Sequence, residues 1–232
     1  MKITIKYIVL TLITLSLFSF LNPPTKIFGD FKIIKMQTYK NNALQSTFFN
    51  GLVKLYPEAM DPRFVFKADN IAHVSLNNKP LKYQTNIKSY NDSIERLVDE
   101  GSTWAVSTNN VFSSFTYSCS INYPIFNSIQ NIPDTIRKSE NYSIDIGGVQ
   151  NADFVEFIFD DLIFHPQVPW YRKINTSINN VIVIPGSAFN EITSQNGFVR
   201  LVFTKGEDKM IDGKNFRFEN RLMLVKPVLI IN

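Results

Sequence analysis

Cysteine is almost missing from this chain: Cys119 is the only one in 232 residues. An intrachain disulfide is therefore excluded, and so are CxxC redox motifs and four-cysteine zinc sites. Histidine is nearly as scarce, with only His73 and His165. Zinc usually takes three protein ligands even where it is catalytic, and no spacing supplies a third beside His165. No Gly-rich phosphate loop is present, and Gly186-Ser187 is only half of a nucleophile elbow. Charge of one sign is lacking too. Twenty-four Lys and Arg face 20 Asp and Glu, a formal +4 that is dispersed and partly contributed by Lys2 and Lys6. That balance argues against a nucleic-acid partner, and no cofactor is expected.

What is abundant is apolar and aromatic: 44% hydrophobic residues, 13% aromatic, with 20 phenylalanines. The stretch Trp104–Tyr123 organises the reading. Phe115, Tyr117, Cys119, Ile121 and Tyr123 share one register, while Ser114, Thr116, Ser118, Ser120 and Asn122 share the other. A period of two with one greasy face is a half-buried antiparallel strand. Trp104 and Val106 read as the end of its partner strand, across the polar turn Ser107–Asn110. Cys119, on the greasy side, reads as a buried thiol.

Residues 1–26 carry Lys2 and Lys6, then the apolar run Tyr7–Leu21, then Asn22-Pro23-Pro24. A positive start before a short apolar run reads as a secretory signal, with an uncleaved anchor or a core segment as alternatives. The run is short for a span of about 20 residues, and no cysteine follows it to carry lipid. The expected location is secreted, periplasmic or cell-surface, with no membrane span once the signal is removed.

Residues 27–127 show short apolar runs with turn signals between them. Ala72, Val74 and Leu76 oppose Ile71, His73 and Ser75, and Asn77-Asn78-Lys79-Pro80 turns the chain. Ser93–Val98 has a mild helical look. Pro124–Asp134 changes texture and reads as a junction. In residues 128–232, Tyr142–Ile146, Phe154–Phe159, Val181–Ile184, Val199–Phe203, Phe216–Val225 and Val228–Ile231 read as strands. Lys205–Lys209 reads as a hairpin loop, Asp212-Gly213 as a second turn, and Pro227 as an edge or bulge. The fold expected is all-β: two consecutive immunoglobulin-like β-sandwich domains after the signal segment. The run Trp104–Phe159, with its tryptophan-bearing strand, F-x-Y strand, proline-bearing link and glycine-plus-NAD turn, resembles secreted Bacteroidetes proteins with tandem Ig-like domains. The resemblance implies export and a sandwich, and it implies no activity and no site residues.

Two functional classes follow. The first is a non-catalytic binding or structural protein whose ligand is a glycan or a cell-envelope protein. Trp170, Tyr171 and Arg172 are its binding candidates, since a loop aromatic can stack on a sugar or fill a pocket. Tyr39, Tyr56 and Tyr90 are weaker surface candidates. The second is a secreted glycoside hydrolase using two carboxylates about 5–9 Å apart. Asp153, Glu156, Asp160 and Asp161 form the densest acidic group, read as a solvated rim. Asp160, Asp161 and His165 are weak metal candidates. A third possibility is a subunit of a surface assembly, with Leu222–Ile231 offering a sheet edge.

Overall fold

Asn41 and Asn42 both take positive φ, 51° and 61°, which asparagine tolerates better than most residues. The tight turn they make joins β1 (Ile27–Lys40) to β2 (Ala43–Met60). The computed structural model describes residues 26–60, 70–94, 101–108, 113–161, 171–175, 180–193 and 195–232. Further strands are β3 (Ala72–Leu76), β4 (Lys79–Pro80), β5 (Lys82–Gln84), β6 (Ser89–Ile94), β7 (Ser102–Thr108) and β8 (Phe115–Cys119). Then come β9 (Thr135–Arg137), β10 (Tyr142–Asp145), β11 (Phe154–Asp161), β12 (Tyr171–Asn175) and β13 (Val181–Ile184). The long hairpin β14 (Asn196–Ile211) and β15 (Lys214–Ile231) completes the chain. Its turn, Asp212-Gly213, and the β3–β4 turn, Asn77-Asn78, repeat the positive-φ pairing.

The fold is all-β and built from mixed sheets. The largest has nine strands in the order β12-β11-β14-β15-β1-β2-β6-β5, with β9 also against β15. Smaller sheets are β4-β3-β7-β8 and β10-β13. β15 is the hinge of the topology. It runs antiparallel to β14, and parallel to β1 from Gly29↔Phe216 to Thr38↔Val225. Because side chains alternate along a strand, its even-numbered residues all face inward, yet they serve two cores. Phe216 and Phe218 join Phe31, Val53, Leu76 and Trp104. Leu222, Leu224, Val228 and Ile230 join Phe157, Phe159, Ile184 and Phe189. Asn220 sits between the two groups.

Aromatic packing dominates the first core. The Trp104 indole meets Phe31 edge-on at 5.3 Å, and Phe31 stacks on Phe218 at 4.8 Å. Each such buried ring contributes roughly 1.5–3 kcal/mol of transfer free energy. The second core closes around Phe189, which lies on a 3-10 turn, Gly186–Phe189. That turn touches the backbone. A Cβ on Gly186 would lie 2.5 Å from the carbonyl oxygens of both Lys138 and Glu140, so only glycine fits.

Several expectations change. Lys205–Lys209 is no loop but part of the C-terminal half of β14, paired from Lys205↔Asn220 to Lys209↔Phe216; the turn lies at Asp212-Gly213. Local charge density suggested a loop, but alternation carries one register straight through it. β1, β2, β14 and β15 are 14 to 18 residues long rather than short. Ser93 and Ile94 end strand β6 and are not helical. Pro227 lies inside β15, at a local edge. Leu229 donates its N–H to Asp134, on the side where β9 joins, and residue 227 would point its N–H the same way. β1 pairing has ended at Val225 there and β9 has not begun until Leu229. The missing donor therefore costs nothing. Leu222–Ile231 is flanked on both sides and offers no open edge over most of its length.

Candidate functional site

The sequence-nominated residues fall unevenly. Trp170 and His165 lie outside the described residues, as do the side chains of Asp161, Tyr171 and Arg172. By backbone pairing Tyr171 stands opposite Phe159 and Arg172 opposite Ile158, which puts both on β12 at the margin of the large sheet. Asp161 pairs with Gly197. Asp160 is held by Arg200 on β14, Oδ2 to Nε at 2.8 Å. Asp153 pairs with Lys205 at 2.6 Å and accepts the Gly206 N–H. Glu156 is not on a solvated rim; it lies within β11 and is buried. Tyr56 and Tyr90 are not surface residues either, being 1% and 2% exposed. The Tyr90 hydroxyl donates to Asn70 and accepts from the Ala72 N–H, so it is a core tyrosine with its polar end satisfied. Tyr39 is half-buried. Among the described residues no group of three or more His, Cys, Asp and Glu stands close enough to hold a metal ion.

Two arrangements bring reactive side chains together. On the outward face of the large sheet, Lys32 contacts Asp30 and lies 3.9 Å from Glu219, which Arg221 also binds at 2.6 Å. Both carboxylates are already engaged by cations. The other arrangement points inward. Glu207 on β14 accepts the Tyr117 hydroxyl at 2.5 Å and the Cys119 thiol at 3.7 Å, and it pairs with Lys209 at 2.8 Å. Burial pushes the Glu207 carboxyl up, but the bonds from Lys209 and Tyr117 outweigh it and hold the group below its ordinary value. Burial, reinforced by the same carboxylate, pushes Tyr117 well above its usual range. The Cys119 thiol is pushed up to about 11, first by burial. A thiol so raised is a poor nucleophile, and an ionised Glu207 cannot serve as a general acid. The cluster pins the four-stranded sheet to β14.

A concave site lies on the other side of that four-stranded sheet. It has a volume of about 440 Å³ and is lined by His73, Ser75, Ser107, Ser114 and Thr116 together with Val74, Pro80, Ala105, Val106 and Phe115, so that its surface is largely apolar with polar groups set into it. Strand register builds it. His73 stands opposite Ser107, Ser75 opposite Ala105, and Ala105 opposite Thr116. Because Val74, Leu76, Trp104 and Val106 are consumed by the core, the alternate positions must face outward. The neighbouring polar groups are ordered: Asn77 Oδ1 accepts the Thr103 N–H at 2.8 Å, and the Thr103 and Ser118 hydroxyls meet at 3.1 Å. Ser114 Oγ accepts the Thr108 N–H at 3.2 Å. Among the described residues no Asp, Glu, Lys or Arg lines the groove. The small residue Ala105, between Ser75 and Thr116, deepens its floor.

Alternation assigned His73, Ser75 and Thr116 to the polar faces of their strands, but curvature that gathers them into one groove leaves no mark in a single strand. A comparison with protein-family models finds no match for the chain, and a comparison with curated proteins finds none.

Proposed function

We propose that this chain is an exported, non-catalytic binding protein whose working surface includes the groove of the four-stranded sheet. The observation that carries the reading is the chemistry of the lining: four hydroxyls and one imidazole set over an otherwise apolar floor, with no Asp, Glu, Lys or Arg among the described residues that line it. Neutral donors and acceptors on a rigid sheet suit a neutral, hydroxyl-bearing ligand, which is to say a glycan. In the cluster around Glu207 the carboxylate is already engaged by Tyr117 and Lys209, and the Cys119 thiol is buried. Two hydrophobic cores, each under its own small sheet, support the reading of two sandwich units, residues 27–127 and 128–232, with β15 shared between them. The leader composition of residues 1–26 supports export to the periplasm, the cell surface or the medium. Trp170, Tyr171 and Arg172 are a second contact region, where an aromatic could stack on a sugar ring.

The test is a screen of the purified chain against cell-envelope and plant glycans, followed by titration of any hit. Ser75→Ala with Thr116→Val removes two hydroxyls without adding bulk and is expected to weaken binding by at least about tenfold, the scale of one or two lost hydrogen bonds. Unchanged affinity in that variant would remove the groove from the proposal. A loss confined to Trp170→Ala would move the site to the other region. Absence of any glycan hit leaves the cell-envelope protein as ligand class and sinks the glycan reading.

A further inference from the structure

The groove on the four-stranded sheet has a direction. Register lays Pro80, Ser75, Ala105 and Thr116 side by side across β4, β3, β7 and β8, in one outward row. A second row, one outward position along the strands, holds His73 opposite Ser107, with Ser114 bonded to the Thr108 N–H. Four strands make three intervals of about 4.8 Å, so the groove runs roughly 14 Å across the strands and about 7 Å along them. The outward row on the far side of Ser75 is closed upon itself. There Asn77 Oδ1 accepts the Thr103 N–H, and the Thr103 and Ser118 hydroxyls bond to each other. Within the groove, among the described residues, the Ser75, Ser107 and Thr116 hydroxyls and the His73 imidazole bond to no other side chain. A long ligand thus finds open polar groups across the strands and engaged ones along them.

Across the row, apolar and hydroxyl side chains alternate: Pro80, Ser75, Ala105, Thr116. Like groups therefore recur at every second strand, roughly 10 Å apart. A β-1,4-linked pyranose chain held flat has a closely similar period. Each sugar advances it by about one strand spacing, roughly 5 Å. Successive sugars are turned over, so the same edge returns at every second residue. The ring faces of such a chain are C–H surface and its hydroxyls lie at the edges. An apolar floor with hydroxyls set into it complements both.

We propose that the ligand of the groove is a linear, neutral, β-1,4-linked polysaccharide, bound along its length across the four strands, about three sugars at a time. This rests on the reading of the groove as a glycan site and narrows it. One sugar spans a single strand interval, whereas three reach from Pro80 to Thr116, so affinity accumulates strand by strand. Among the described strands β4 and β8 are the two edges of this sheet. A longer chain therefore leaves over either side without meeting a further strand, and the groove takes internal segments as readily as chain ends.

The test is calorimetric titration of the purified full chain with β-1,4-linked oligomers of glucose, mannose and N-acetylglucosamine, one to six sugars long. The α-1,4-linked glucose oligomers, whose chain curls, serve as the comparison. In at least one β series affinity is expected to rise about threefold to tenfold per sugar, then to level off at three or four sugars. At four sugars the α series should bind at least about tenfold more weakly than that β series. Ala105→Leu raises the floor midway and should remove most of the gain in affinity with length. Thr116→Val, on an exposed position of the edge strand, is the milder variant and should weaken the tetramer more than the single sugar. If Ala105→Leu does not fold, Thr116→Val decides. Affinity independent of length, equal binding of the α and β series, or an unchanged length profile in a folded variant overturns the proposal. So does failure of all three β series to bind. Where another glycan still binds the groove, only the linear ligand is lost; where no glycan binds at all, the glycan reading falls with it.

Discussion

Asn220 Nδ2 donates to the Ile121 carbonyl at 2.6 Å, tying the middle of β15 to the chain just after β8. This bond sits where the two cores meet, on a strand face that is otherwise aromatic on one side and aliphatic on the other. Asn220→Leu leaves the Ile121 carbonyl unpaired in a buried setting. Its expected cost is about 1–3 kcal/mol, read from urea denaturation. Because β15 belongs to both cores, the wild-type transition is expected to be single by fluorescence and by circular dichroism alike. Separated midpoints would show that the cores unfold independently.

Lys226 is 1% exposed, yet its ammonium is satisfied by the Ile132 carbonyl and by Asp134 Oδ1 at 2.8 Å. Removing the charge together with its need for a partner costs less than stranding it. Lys226→Met is therefore expected to lose about 1 kcal/mol, and Asp134→Ala somewhat more, even though Asp134 itself is largely solvated. Thermal melts of the two variants check the order. The reverse order would mean that the carboxylate contributes little.

Stability should fall at both ends of the pH range for reasons that can be separated. Glu207 is depressed below its ordinary value of 4.5, so its contribution is present above that pH and is lost as pH falls through the lower folded value. Glu207→Gln should flatten this acid limb. Cys119 is raised from 9.0 to about 11, so its contribution is complete below pH 9 and is lost as pH rises towards 11. A thiol reagent at pH 8 should accordingly label Cys119 only after denaturant is added. Rapid labelling of the native chain would contradict the buried assignment.

Gly186→Ala puts a methyl group against two backbone oxygens, neither of which can swing aside as a flexible side chain would. The expected loss is roughly 3 kcal/mol, the upper range for overpacking, measured by denaturant midpoint against Gly148→Ala. Gly148 has open space around it but a positive φ of 83°, so its substitution reports backbone strain alone.

The strand class and most turns were legible because they depend on neighbours in sequence. The register of Phe115–Cys119, the faces of Ala72–Leu76, and the turns at Asn77-Asn78 and Asp212-Gly213 all follow from a period of two and from residues that accept positive φ. What was illegible depends on partners far along the chain. Charged Lys205–Lys209 looked like a loop because its pairing with Asn220–Phe216 is visible only once β15 is in place. Tyr56 and Tyr90 looked like surface residues because a tyrosine's sequence neighbours give no sign of whether its ring will be buried. The hydroxyl groove was legible residue by residue but not as a concavity, since it takes four strands to curve one.

The parallel pairing of β1 with β15 has a mechanical corollary. The two strands enter their ladder side by side and heading the same way, over ten register pairs. A pull on the chain ahead of Ile27 against the chain beyond Ile231 therefore drags them past each other in shear. Their hydrogen bonds must then yield together rather than peel one at a time, and the fold resists stretching most strongly along its own length.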